Sequence, residues 1–113
     1  MEDCIFCKIA NREINTEFLY EDSELVAFRD IAPKAPVHIL IIPRKHIPTI
    51  NDLEEEDNQM VGKIYQVAKK LAEEYNIAED GYRIVVNCNA NGGQVVYHLH
   101  FHLLGGEKLG DIC

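Results

Sequence analysis

The chain has 113 residues, 47% of them hydrophobic and 27% charged, a size and balance that fit one globular domain over 1–113 with a modest core. Its net charge of −8 excludes charge-driven binding of polynucleotides, which needs a basic surface, but leaves room for a small phosphate ester held by local donors. No apolar run is long enough to span a membrane and the acidic start MEDCIFCKIA has no hydrophobic signal core, so neither a membrane partner nor export is expected.

Neither an internal repeat nor a low-complexity linker interrupts the chain. CIFCKIANREI reads as a short opening helix with Ile5, Phe6 and Ile9 on one side. EFLYEDSELVAFRD reads as a hairpin of two strands around Glu21, Asp22 and Ser23. APKAP is a stiff connector, because Pro33 and Pro36 block regular pairing, and HILIIP is a buried strand ending at Pro43. A long helix follows. Asp52 with Glu55 three residues on is the pattern of a capping box, and Met60, Val61, Ile64, Val67, Ala68, Leu71 and Tyr75 form one apolar stripe. The acids Glu54 to Asp57 crowd its start and Lys69 and Lys70 come late, an order that suits the helix dipole. GYRIVVNC is another strand, and NANGGQ is a loop leading to YHLHFHLL. The order predicts an α+β domain: a five-stranded, largely antiparallel sheet with one long helix on a face and a short N-terminal helix.

YHLHFHLL places three of the five histidines at alternate positions. In a strand, His98, His100 and His102 share one face while Leu99, Phe101 and Leu103 enter a core on the other. Three readings are open for such a row. The imidazoles are satisfied structural groups, or two of them chelate zinc or iron, or they carry nucleophilic and acid–base chemistry near neutral pH. The two glycines of NANGGQ allow backbone amides to approach an anion closely, and Gln94, Asn87 and His38 lie on neighbouring segments, which favours an anion site. Cys4-x-x-Cys7 is likewise open to several readings: a redox pair, two ordinary cysteines, or metal ligands. With Cys88 and Cys113 the cysteines are too few for a disulfide framework, so a reducing cytoplasm is expected.

HLHFHLL fits the pattern His-x-His-x-His-x-x with hydrophobic x, and resembles the signature of the histidine triad superfamily. DIAPKAPVHILIIPRKHI, VVN, GGQ and the closing LLGG are similar to its Hint branch of purine nucleoside phosphoramidases, over about Ile5 to Gly106. The resemblance implies an antiparallel five-stranded fold, usually a homodimer. It implies an enzyme that cleaves nucleoside 5′-phosphoramidates or related nucleotides through a nucleotidyl-histidine, releasing a nucleoside monophosphate such as AMP. Carried over by position, His100 matches the nucleophile, with the backbone carbonyl of His98 orienting its ring, His102 the histidine on the phosphate and leaving group, and His38 the fourth histidine of the site. Asp30 and Ile31 match the nucleoside pocket, with Asp30 on the ribose. Phe6, Ile9, Ile14 and Phe28 resemble the apolar base wall, and Asn87, Gly93 and Gln94 the phosphate and ribose contacts. Some relatives carry a cysteine pair with a histidine after the third strand. The implied structural zinc set is Cys4, Cys7, His46 and His98, with no catalytic organic cofactor.

The sequence departs from the Hint pattern twice. Val95 stands where a serine usually follows GGQ, and the tail EKLGDIC lacks the tryptophan often found near the Hint C-terminus. Both changes bear on rate and leaving-group preference. They keep two other functions in view: a nucleotide-binding interaction module with weak activity, and a metal-dependent hydrolase that uses the triad as ligands.

Overall fold

Cys4 starts the first helix. Its backbone is extended and its thiol accepts the Cys7 amide at 3.3 Å, capping α1 (Ile5–Ala10) in a computed structural model that describes residues 3–111. Cys113 lies outside the described residues. The helix is shorter than CIFCKIANREI. Arg12 takes φ 61°, and the amides of Arg12 and Glu13 turn back to the carbonyls of Ile9 and Lys8 at 3.0 and 2.8 Å, a left-handed termination that stops the helix before Ile14.

The hairpin forms as expected. β1 (Tyr20–Glu21) pairs antiparallel with β2 (Leu25–Arg29), and Asp22 Oδ1 accepts the amides of Glu24 and Leu25 at 2.7 and 2.8 Å, closing the turn. β3 (Val37–Pro43) pairs with β2 on one side and with β5 (Phe101–Gly105) on the other, and β4 (Tyr82–Val86) pairs with β5. The five-stranded sheet has the order β1-β2-β3-β5-β4 and every pair is antiparallel.

The long helix starts later than its capping pattern suggests. Asp52 does not cap it. Instead Asp52 closes a 3₁₀ turn over Ile50–Asp52, accepting the Thr49 amide and hydroxyl at 3.1 and 2.8 Å. A second 3₁₀ turn, Glu55–Asp57, follows, and only then α2 (Asn58–Glu74). Local side-chain bonds from Asp52 and Asp57 compete with helical ones here and hold two separate turns. The apolar stripe is as read: Met60, Ile64, Val67, Ala68 and Leu71 are buried against Leu25, Ala27, Ile39, Ile41, Leu99, Phe101 and Leu103. Each large aliphatic chain so buried stabilises the fold by about 1.5–3 kcal/mol.

The opposite sheet face holds the second core. Val26, Phe28, Leu40 and Ile42, alternating with the residues that face α2, meet Phe6, Ile9 and Ala10 of α1. Arg44 ties α1 to the sheet, donating to the carbonyls of Ala10 and Asp22 at 2.7 and 2.8 Å. His98 and His100 lie on this same side, against Phe6 of α1.

Candidate functional site

YHLHFHLL is only partly strand. β5 begins at Phe101, opposite Ile41, and residues 97–100 form an irregular lead-in. Continuing the ladder would set Leu99 against Pro43, which has no amide to donate. Leu99 instead donates to the Ile47 carbonyl at 2.6 Å. The alternation survives this irregularity. Leu99, Phe101 and Leu103 enter the α2 core, while Phe6 of α1 lies edge-on against the rings of His98 and His100, at 6.0 and 5.1 Å between centroids. His102 follows His100 at 5.0 Å.

The three imidazoles are nevertheless in different settings. His100 Nδ1 donates to the His98 carbonyl at 2.8 Å. In a neutral ring the proton is then on Nδ1 and the lone pair on Nε2. Nε2 makes no hydrogen bond among the described residues, which leave no buried side-chain nitrogen or oxygen unpartnered, so it reaches solvent. His102 Nδ1 lies 2.9 Å from His38 Nε2, and Asp30 stands 3.5 Å from that same His38 nitrogen. His38 Nδ1 accepts the Lys34 amide at 3.0 Å. His98 is fully buried and turns away from its neighbours: Nε2 donates to the Pro43 carbonyl at 2.8 Å, and Nδ1 faces Cys4 and Cys7 Sγ at 3.3 and 3.5 Å. The triad is therefore divided, and the three rings do not converge on one point.

His98 completes a second constellation. His46 Nδ1 lies 3.2 Å from Cys7 Sγ, and one ligand atom from each of Cys4, Cys7, His46 and His98 falls within 4.8 Å of every other. Around a tetrahedral zinc, sulfur and nitrogen ligands stand about 3.5 Å apart. The spacing fits, and so does the chemistry. The Pro43 carbonyl fixes the proton of His98 on Nε2 and bares Nδ1 toward the thiols, as a metal ligand requires. Burial, with the adjacent Cys4, pushes the Cys7 thiol up to about 11 in the protein alone, so a cation would have to draw off its proton.

The remaining predicted residues divide. Phe6, Ile9 and Phe28 form one apolar wall, Phe6 packing edge-on to Phe28 at 5.7 Å. Ile14 is partly exposed and outside that cluster, and Ile31 and Val95 are at the surface. Gly93 has φ 83°, a left-handed backbone that glycine adopts without a Cβ clash. Gln94 is buried and both ends of its amide are engaged. Oε1 accepts the Asn89 amide at 2.8 Å, and Nε2 donates to the carbonyls of Pro48 and Val96 at 2.8 and 3.0 Å. It clamps the loop from within, and Asn89, at φ 62° and ψ −173°, carries the strain of the bend. Asn87, half-buried, follows β4 at the edge of this loop. The His98 carbonyl bond to His100 is the one the family resemblance implies. Two further main-chain partners of the site were not visible in the sequence: the Pro43 carbonyl and the Lys34 amide, which no side chain announces.

Burial, with His100 and His38 beside it, pushes His102 down to about 4, and burial lowers His38 as well. An unfolded imidazole takes up its proton near pH 6.5. Between about pH 6.5 and 4 the unfolded chain thus binds more protons than the folded one, and stability falls as pH drops through this window. Urea midpoints should be level above pH 7 and decline from pH 6.5 to 4.5. His102→Asn should flatten part of that decline.

The HIT domain profile matches residues 11–109. The chain belongs to the HIT domain family. Among individual proteins it is 55% identical over 111 residues to a purine nucleoside phosphoramidase of Escherichia coli (strain K12), an alignment spanning 98% of this chain and 93% of that protein. A HIT family hydrolase from Legionella pneumophila Philadelphia 1 superposes with a TM-score of 0.93 at 52% identity, covering 96% of each chain. A histidine triad protein from Clostridium difficile gives 0.95 at 44% identity, covering 98% of this chain and 96% of that one. The expected family, its antiparallel α+β fold and an enzyme similar to the family's phosphoramidases all hold. Among the described residues no helix is long and apolar enough to cross a membrane.

Proposed function

We propose that this chain cleaves the P–N bond of purine nucleoside 5′-phosphoramidates and releases a nucleoside monophosphate such as AMP. The observation that carries the reading is the His100 ring. Its Nδ1–H is tied to the His98 carbonyl, and its bare Nε2 opens beside His102. In the first step Nε2 attacks the α-phosphorus, the bond to the amine breaks, and the amine departs with one proton drawn from solvent. In the second, water attacks the nucleotidyl-imidazole, the P–Nε2 bond breaks, and one proton is released, so the two steps balance. His102, from the next position along the row, meets the charge that develops on the phosphoryl oxygens, and the Gly93 backbone supplies a further donor. His38 supports His102. Asp30 binds the ribose beside Ile31. Phe6, Ile9 and Phe28 line the base side with Ile14 at its rim, and Asn87 and Gln94 hold the loop beneath the phosphate. Val95, in place of a hydroxyl, exposes an apolar side chain to the leaving group.

A structural zinc on Cys4, Cys7, His46 and His98 braces α1 against the sheet, and takes no part in the chemistry. We also propose a homodimer. β4 is an edge strand of half-buried apolar residues and Tyr65 is exposed on α2, surfaces that a second copy would cover. Among the described residues Cys4, Cys7 and Cys88 form no disulfide, which suits a reducing cytoplasm. The deciding experiment offers an adenosine 5′-phosphoramidate and examines acid-free quenched protein by mass spectrometry. A nucleotidyl adduct on His100 with AMP release is the expected result. AMP binding without turnover would instead favour the interaction-module reading.

A further inference from the structure

We infer that the main-chain amide of Lys34, acting through His38, is a positioning group that fixes neutral His102 as an Nε2–H donor. The inference rests on the phosphoryl role of His102 proposed above. The hydrogen bond from Lys34 to His38 has a fixed direction. A backbone N–H only donates, so at 3.0 Å from the Lys34 nitrogen the Nδ1 of His38 must be the bare, accepting nitrogen. A neutral His38 then carries its proton on Nε2. That Nε2–H has His102 Nδ1 at 2.9 Å and the Asp30 carboxylate farther off at 3.5 Å. His102 Nδ1 is therefore an acceptor in turn, and the one proton of the neutral His102 ring is on Nε2. No other assignment of the neutral rings avoids two protons facing each other, either between Lys34 and His38 or between His38 and His102.

A second chain of bonds runs in from the other side. The His98 carbonyl takes the Nδ1–H of His100, leaving that ring's Nε2 bare. Two main-chain groups, an amide in the stiff APKAP connector and a carbonyl in the lead-in to β5, thus give adjacent imidazoles opposite outward atoms. His100 offers a lone pair and His102 offers a proton. An attacking nitrogen beside a hydrogen-bond donor is the pair that displacement at phosphorus needs.

The Lys34 amide also bears on metal binding. Asp30, His38 and His102 each bring a ligand atom within 4.8 Å of the others, a set that resembles two histidines and a carboxylate on a metal. A cation on His38 Nε2 would require that nitrogen bare, moving the proton to Nδ1 and against the Lys34 amide. The cluster is built to hold a proton between its rings.

Nitrogen NMR of protein labelled in its histidine rings at pH 7 tests this directly, because protonated and bare ring nitrogens resonate far apart. His38 and His102 are expected as Nε2–H tautomers, His100 as Nδ1–H, with the His38 Nε2 proton coupled across to His102 Nδ1. Replacing Lys34 by its α-hydroxy acid exchanges the amide for an ester and removes the N–H while keeping the side chain. His38 and His102 should then populate mixed tautomers, and kcat/KM on the phosphoramidate should fall about three- to tenfold, the effect of one hydrogen bond. Lys34→Ala keeps the amide and should keep the wild-type tautomers. An Nδ1–H His102 in the wild type, or tautomers unmoved by the ester, would overturn the inference. Absence of phosphoramidate turnover in the wild type would overturn the catalytic role, while the ring nitrogens would still decide the link to Lys34.

Discussion

His100→Ala should abolish turnover, with a loss on the order of 10⁴–10⁶ in kcat, the range seen when the nucleophile of a covalent enzyme is removed. The fold should survive. Leu99, Phe101 and Leu103 pack the opposite face against α2, whereas His100 contributes one edge-on contact with Phe6 and one bond to a carbonyl at the edge of the site. The Phe6–Phe28 contact and Asp30 remain, so AMP should still bind within a few-fold of the wild type. Covalent adduct and turnover should disappear together. Hydrolysis, AMP titration and thermal melting on one preparation would separate these effects. Near-normal turnover in His100→Ala would remove the nucleophile from the proposed mechanism and bring forward the metal-dependent alternative.

Withdrawing the metal should produce the opposite pattern, a large loss of stability with activity following it. Cys4 and Cys7 come from α1 and its cap, His46 from the segment after β3, and His98 from the lead-in to β5. One ion would join three separate parts of the chain. Its binding free energy is folding free energy, because no such site exists in the unfolded chain. Protein purified without added metal should contain about one zinc per chain, as a closed four-ligand site implies. Chelation, or Cys7→Ala, should lower the melting temperature by at least about 10 °C, corresponding to a loss of about 2 kcal/mol or more for a domain of this size. Phosphoramidate turnover should decay with the time course of metal loss, slowly, because His100 is held by a carbonyl and not by the metal. Immediate loss of turnover with an unchanged melting curve would contradict a bracing role.

Side-chain periodicity carried most of the fold. The α2 stripe, the alternation across the histidine segment and the Asx-closed hairpin were legible because each repeats a local rule. The misreadings fall where neighbouring groups compete. Asp52 met the rule for a helix cap, but Thr49 claimed its carboxylate first. The strand over 97–104 lost its first half because its partner ends at a proline and Ile47 offers a carbonyl instead. Nor does anything in the sequence reveal that Pro48, 46 residues away, takes a hydrogen bond from the Gln94 side chain. In the site, the histidines and cysteines were visible as residue types. The orientation of His100 by the His98 carbonyl was implied by the family resemblance. The proton positions of His38, His102 and His98 were not legible, because main-chain atoms of Lys34 and Pro43 set them.

His98 is answerable to two structures through different atoms. The ring of His98 faces the cysteines, and only histidine can present that nitrogen beside the Pro43 carbonyl. The carbonyl that orients His100 belongs to the backbone, and every amino acid brings one. Selection can therefore act on the two duties independently. A lineage could exchange the cysteine pair and this histidine for an apolar contact, provided the replacement kept the lead-in in place, and the neighbouring imidazole would still be aimed. The brace is the negotiable part of the design, and the aim is inherited with the path of the chain.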